Sequence, residues 1–232
     1  MNSPRTRLHY GWIVLAVGTL VVFGSLGLAR FGYTMVLPPM QEGLGLDNTQ
    51  TGALATANLV GYLVLALIGG AVATRYGPRI VIAAGLALAG VAMLLTGLAN
   101  GFYTAAAWRT LTGVGSGASN VPAMGLLASW FATKRRGLAS GIAVAGSSLA
   151  LILVGALVPR ILGIYDENGW RVCWYIFGGV TLLLAVGVFF FLRNRPSELG
   201  LKPFGADDND PVQAPDEEKL QWSRIYRSGA VW

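Results

Sequence analysis

Residues 11–28 read GWIVLAVGTLVVFGSLGL, eighteen positions without a charge. The run is apolar on every side, so it is not a surface helix that turns one stripe to a core. Eighteen or more such residues have the length of a membrane-spanning helix. The same helix is expected to continue through Phe31 to about Leu37. Pro38 and Pro39, which lack a backbone donor, are expected to stop it there.

Five further runs lie downstream, at Thr51–Ala73, Arg79–Leu98, Phe102–Phe131, Gly137–Leu157 and Trp170–Leu192. They are joined by the polar segment Gln41–Gln50, the turn Thr74–Pro78, the tight Asn100-Gly101 connection, the basic loop Thr133–Arg136 and the polar loop Gly163–Gly169. The runs are near twenty residues and do not alternate, so helices, not barrel strands, satisfy their backbone in lipid. The composition agrees: 12% of residues are charged, against about 25% in soluble domains. The fold class expected is an all-α membrane protein of six transmembrane helices. A soluble enzyme, a nucleic-acid-binding domain and a disordered chain are excluded. The net charge of +6 is read as basic cytoplasmic loops, with no nucleic-acid partner.

Lys and Arg set the expected orientation. The N-terminal tail, the second and fourth connections and the tail after the sixth run carry thirteen cations, the other connections two. Both termini are therefore expected in the cytoplasm. Three regions follow: a cytoplasmic tail over 1–10, a six-helix transmembrane domain over 11–192, and a cytoplasmic linker over 193–232 that leads into a missing second half. Phe204–Lys219 is acidic and proline-containing, and reads as flexible linker. Trp222, Tyr226 and Trp232 look like the approach to another element. Trp12, Trp130, Trp170 and Trp174 lie near span ends, where indole rings favour the interface.

One cysteine, Cys173, and one histidine, His9, build neither an internal disulfide nor a His/Cys metal site. No cofactor is expected. No acidic residue lies within a span, and no nucleophile–base pair is evident, so no catalytic constellation is found and an enzyme is not expected.

Two arginines, Arg30 and Arg109, fall inside spans, each about 10 Å from the outer surface at 1.5 Å per residue. Each needs a polar partner, a water-filled cavity or a snorkelling route to the interface. For Arg30 the cavity and snorkelling readings are balanced. For Arg109 the cavity reading is favoured, because its helix carries other polar residues. Without a carboxylate partner, either guanidinium is suited to an anion. Asn58 and Tyr62, one turn apart on the second span, and Asn120, deep in the fourth, either join helices or contact substrate. Gly113 and Gly117, then Gly137 and Gly141, form small-xxx-small pairs suited to close helix packing.

The stretch Gly70-Ala71-Val72-Ala73-Thr74-Arg75-Tyr76-Gly77-Pro78-Arg79 resembles the loop signature of the major facilitator superfamily between helices two and three. Gly70, Arg75, Gly77 and Arg79 match it; Thr74 replaces the signature aspartate. Arg109 with Gly113 and Gly117 matches a second signature in helix four. The antiporter signature of helix five is missing from Gly141–Pro159. Arg30-Phe31-Gly32-Tyr33, Leu37–Met40, Arg195-Pro196 and Gly200–Pro203 look like bacterial members near the monocarboxylate and oxalate/formate branch. The resemblance implies one half of a twelve-helix secondary transporter in the bacterial inner membrane, built from two inverted three-helix repeats. It also implies that helices one and four line a central cavity. The loop is implied to latch neighbouring helices, with Arg75 capping helix carbonyls.

The expected function is alternating-access transport of a small solute, an organic anion such as a monocarboxylate. The expected partners are that solute, the lipid bilayer, a coupled proton and the missing C-terminal half. The alternative is a truncated, non-transporting fragment, or a half-transporter that must dimerise.

Overall fold

The computed structural model describes residues 9–206. Among them are six long helices: α1 Gly11–Leu44, α2 Asn48–Tyr76, α3 Pro78–Gly97, α4 Phe102–Trp130, α5 Thr133–Tyr165 and α6 Gly169–Phe191. Their number and order are those of the six apolar runs. Length and composition alone make α1, α2, α3 and the stretch Thr133–Phe191, which holds α5 and α6, able to cross a membrane. α4 falls below that mark because Arg109, Asn120 and a run of glycine and serine dilute it.

The prolines do not stop the helices as expected. Pro38 and Pro39 lie inside α1, and Pro159 lies inside α5. A proline removes the bond to the carbonyl four residues earlier. In α1 those carbonyls belong to Thr34 and Met35, on the exposed side of the helix, so the loss falls outside the packed core. α1 ends instead at Gly45, whose φ of 61° suits glycine and whose N–H bonds back to the Gln41 and Glu42 carbonyls. Asp47 then starts α2 through a capping box: its side chain accepts from the Gln50 N–H at 2.7 Å, and its own N–H donates to Gln50 Oε1 at 3.1 Å. Thr133–Arg136, expected as a loop, forms the first turn of α5.

In chain order the helices form two three-helix units, α1–α3 and α4–α6, and the closest packing lies between the units, α3 on α4 included. The first helix of each unit packs on the middle helix of the other: α1 on α5, and α4 on α2. The third helices, α3 and α6, pack on each other. A unit of three spans reverses direction relative to the next, so the two units are inverted.

Small residues set the closest approaches. A Cβ at Gly113 would collide with the Asn58 carbonyl, one at Gly117 with the Tyr62 carbonyl, and one at Gly61 with the Thr110 carbonyl. α2 and α4 therefore touch backbone to backbone. Gly137 and Gly141 depart from the packing expectation: both are exposed, with nothing within 4 Å of a Cβ. Their stripe on α5 points away from the other described helices.

Two arginines staple α3 to α6 at opposite ends. Arg79, in the first turn of α3, donates through Nε to the Phe189 carbonyl in the last turn of α6 at 2.6 Å. Arg171, in the first turn of α6, donates through Nη1 to the Gly97 and Ala99 carbonyls at the end of α3, at 2.7 and 2.9 Å. Each cation meets the negative end of its neighbour's dipole.

The chain after α6 folds back onto the bundle as far as it is described. The Phe204 N–H donates to the Trp130 carbonyl at 2.8 Å, and the Ala132 N–H donates to the Phe204 carbonyl at 3.1 Å. The Phe204 ring lies against His9, Trp12 and Phe131, with the Arg135 guanidinium 4.9 Å from its centroid. Phe204 is thus docked, not part of a free linker. The remainder of the acidic stretch, with Trp222, Tyr226 and Trp232, lies outside the described residues, as does the tail before His9.

Candidate functional site

Arg109 is 1% exposed, between α1, α4 and α6. Its Nη1 donates to the Ala29 carbonyl at 2.8 Å. Its guanidinium carbon lies 4.6 Å from the Tyr33 ring centroid and 5.0 Å from that of Trp174. Cation–π attraction of this kind strengthens when the cation is desolvated. Tyr33 is held in turn by its hydroxyl, which donates to the Thr51 carbonyl of α2 at 2.8 Å. Asn58 closes the cluster by donating its amide to the Arg109 carbonyl at 3.1 Å. The expected open-cavity placement of Arg109 is thus not observed. Its charge is absorbed by two rings and a carbonyl, deep in the packing. Arg109 Nε and Trp174 Nε1 are both buried and have no partner among the described residues.

The accepting carbonyl lies in an unusual piece of helix. Phe23–Phe31 within α1 is π-helical, and the Gly32 N–H bonds back five residues to the Gly27 carbonyl. Such widened turns recur at functional sites. This one carries Ala29 towards Arg109 and the adjacent Arg30 to a different partner.

Arg30 is half-buried, with its guanidinium carbon 5.7 Å from the Tyr62 ring centroid. It has no hydrogen-bond partner among the described residues. The Tyr62 hydroxyl accepts from the Asn120 amide at 3.0 Å. Asn120 Oδ1 is buried and has no partner among the described residues. Arg30 of α1, Tyr62 of α2 and Asn120 of α4 thus form one chain of contacts. Arg30 lies fourteen residues before the end of α1, about 21 Å along the axis at 1.5 Å per residue. It is therefore farther from the helix end than the sequence estimate, because α1 continues through its prolines. The group offers a guanidinium with its donors unspent, beside a hydroxyl whose proton is free to donate. That chemistry fits a carboxylate, sulfonate or phosphate.

The loop residues sit elsewhere, at the α2–α3 turn. Gly77 has a φ of 86° and lies against the Asn194 side chain. The Arg79 N–H donates to Asn194 Oδ1 at 2.9 Å. Gly70 is exposed, with no neighbour within 4 Å of a Cβ. Arg75 does not cap a helix: its guanidinium lies over the ring of Tyr76, 5.4 Å from the centroid. The capping falls to Arg79.

A family model described as Major Facilitator Superfamily matches residues 16–232. The chain belongs to the Major Facilitator Superfamily. Among its relatives in that superfamily, the probable hexose phosphate transport protein of Chlamydia pneumoniae is 28% identical, over 93% of this chain and 45% of its own length. The probable sulfoacetate transporter SauU of Cupriavidus necator is 26% identical, over 96% and 52%. The 4-hydroxybenzoate transporter PcaK of Acinetobacter baylyi is 27% identical, over 82% and 40%. The chain spans about half the length of these curated relatives. Membership and the apolar helices make it a bacterial membrane protein.

Sequence reasoning missed three participants. Tyr33 lies in the Arg30–Tyr33 stretch that carries the resemblance and Trp174 near a span end, but nothing in the sequence marks either ring as a partner of Arg109. In the structure Trp130, Trp170 and Trp174 are fully buried, and Trp12 alone of the four is exposed. Ala29 contributes a carbonyl, which no side-chain pattern reveals.

Proposed function

We propose that this chain supplies one half of a secondary transporter for small organic anions, with Arg30 as the residue that takes the anionic group. The observation that carries this reading is Arg30 itself: a mid-helix guanidinium stacked on Tyr62, half-exposed and without a hydrogen-bond partner among the described residues. A charge at that depth is costly unless an anion or water completes it. The substrates named for the relatives agree in chemistry, since sulfoacetate, 4-hydroxybenzoate and hexose phosphate each carry an acidic group.

Tyr62 and Asn120 complete the anion's surroundings, and Asn58 and Arg109 act behind them. Arg109 is a positioning residue, holding the α1 turn that presents Arg30. Transport proceeds by rocking of two six-helix halves around this mid-membrane site. In this reading both termini are cytoplasmic, which the cation-rich connections support, and the membrane is the inner one. The one carboxylate inside the described long helices is Glu42, in the last turn of α1, so a coupled proton would be carried by other groups.

The test is uptake into proteoliposomes containing the transporter. A panel of labelled mono- and dicarboxylates, sulfonates and sugar phosphates is compared with uncharged analogues, with and without a pH gradient. Accumulation confined to acidic solutes supports the reading. Accumulation of the uncharged analogues alone overturns it.

A further inference from the structure

An open groove of about 440 Å³ runs between α3 and α6 on the outside of the bundle. Every residue that lines it is apolar. Past Ile80 its α3 wall has only small side chains, Ala83, Ala84 and Ala87, whereas its α6 wall carries Leu182, Val186 and Phe190 around Ala185. That asymmetry leaves a furrow where two tightly packed helices would otherwise close. From Leu182 to Phe190 the furrow follows α6 for about 12 Å at 1.5 Å per residue. That is most of one leaflet of a hydrocarbon core about 30 Å thick.

The groove ends at a fixed cation. Arg79 is clamped there by its Nε bond to the Phe189 carbonyl, and its guanidinium carbon lies 4.8 Å from the Phe189 ring centroid. Its two terminal amino groups have no hydrogen-bond partner among the described residues. Arg193 stands at the same end, with Nη1 donating to the Phe190 and Leu192 carbonyls at 3.1 and 3.2 Å. No carboxylate pairs with either arginine among the described residues.

An apolar furrow about as long as a leaflet is deep, ending in two guanidinium groups that have no carboxylate partner among the described residues, matches one occupant, a phospholipid with a net negative headgroup. We propose that the α3–α6 groove binds one anionic phospholipid, with an acyl chain against Ala83, Ala84 and Ala87 and the phosphate on Arg79. A guanidinium held by Nε still presents its terminal N–H groups as a fork for phosphate oxygens. Basic sites between membrane helices select anionic headgroups in this way. The site lies away from Arg30 and Tyr62, so it stands or falls independently of the transport reading.

The purified protein is titrated in detergent with phosphatidylglycerol or with phosphatidylcholine of the same chains, and retained lipid is counted by native mass spectrometry. Phosphatidylglycerol should be retained in preference. Arg79→Gln should weaken its retention about fivefold, down to that of phosphatidylcholine. Ala84→Leu, which fills the groove and leaves both cations in place, should weaken both lipids. Equal retention of the two lipids by the unaltered protein overturns the proposal. So does displacement of lipid by glycerol phosphate with no effect of Ala84→Leu, which marks an ion site alone. A dimer lost in Ala84→Leu with lipid retention unchanged shows a second copy in the groove and also overturns it. If Arg79→Gln does not fold, Arg79→Lys and Ala84→Leu carry the test.

Discussion

Arg109 Nη1 donates to the carbonyl of Ala29 across 2.8 Å, so the buried arginine of α4 grips the turn of α1 that presents Arg30. The two intramembrane arginines therefore differ in kind. One is spent inside the packing, and the other keeps its donors.

Arg109→Gln should lower stability. It removes the Ala29 contact and the charge that faces Tyr33 and Trp174. A buried acceptor left unpaired costs about 1–3 kcal/mol. The thermal unfolding midpoint in detergent should fall clearly. Arg109→Lys, which keeps charge but loses the planar fork, should fall between the two. An unchanged midpoint in Arg109→Gln would show that the cluster contributes little.

The α2–α4 contact makes a sharp comparison between two glycines. Gly113→Ala places a methyl on the Asn58 carbonyl, whereas Gly141→Ala places one in open space. Overpacking of a tight contact costs about 1–3 kcal/mol. The first variant should lose folded protein in a fluorescence size-exclusion assay, and the second should keep the normal profile. Equal behaviour would contradict the close approach.

Six spans and their order were legible in the sequence because apolar length reports directly on lipid. The helix ends were less so. Pro38, Pro39 and Pro159 are strong stop signals in isolation, yet the structure carries helix through all three. The orphaned carbonyls of α1 point away from the core, where their loss is cheap. At the candidate site, Arg30 and Arg109 stood out because charge in an apolar run is rare. Their difference did not, because the Arg109 charge is met by the Ala29 carbonyl and Tyr33 ring of α1 and by Trp174 of α6, far apart in the chain. No local spacing encodes that meeting.

Tyr62→Phe separates the ring from its hydroxyl. The Arg30 stacking partner is kept, and the acceptor for the Asn120 amide is lost. With Asn120 Oδ1 already unpartnered, the whole amide is then unsatisfied. KM for the transported anion should rise severalfold, less than on loss of Arg30, with a stability cost of about 1–2 kcal/mol. A KM identical to that of the unaltered transporter would remove the hydroxyl from the site.

Phe204→Ala tests the fold-back after α6. The ring is wedged among His9, Trp12, Phe131 and Arg135. Truncating a packed phenylalanine costs about 3–5 kcal/mol at the upper end. The segment 193–206 should become a preferred site of limited proteolysis, with the transmembrane helices intact. Unaltered proteolysis would mean that the backbone bonds to Trp130 and Ala132 suffice.

The central claim is that Arg30 takes the anionic group of the solute. Its most direct measurement is concentration-dependent uptake in proteoliposomes by Arg30→Gln and Arg30→Lys beside the unaltered transporter. A lost charge-assisted contact of about 1.5–3 kcal/mol corresponds to about tenfold or more in affinity. KM should rise at least that far in Arg30→Gln and be partly restored in Arg30→Lys. An Arg30→Gln variant with unchanged KM for an acidic solute would contradict it.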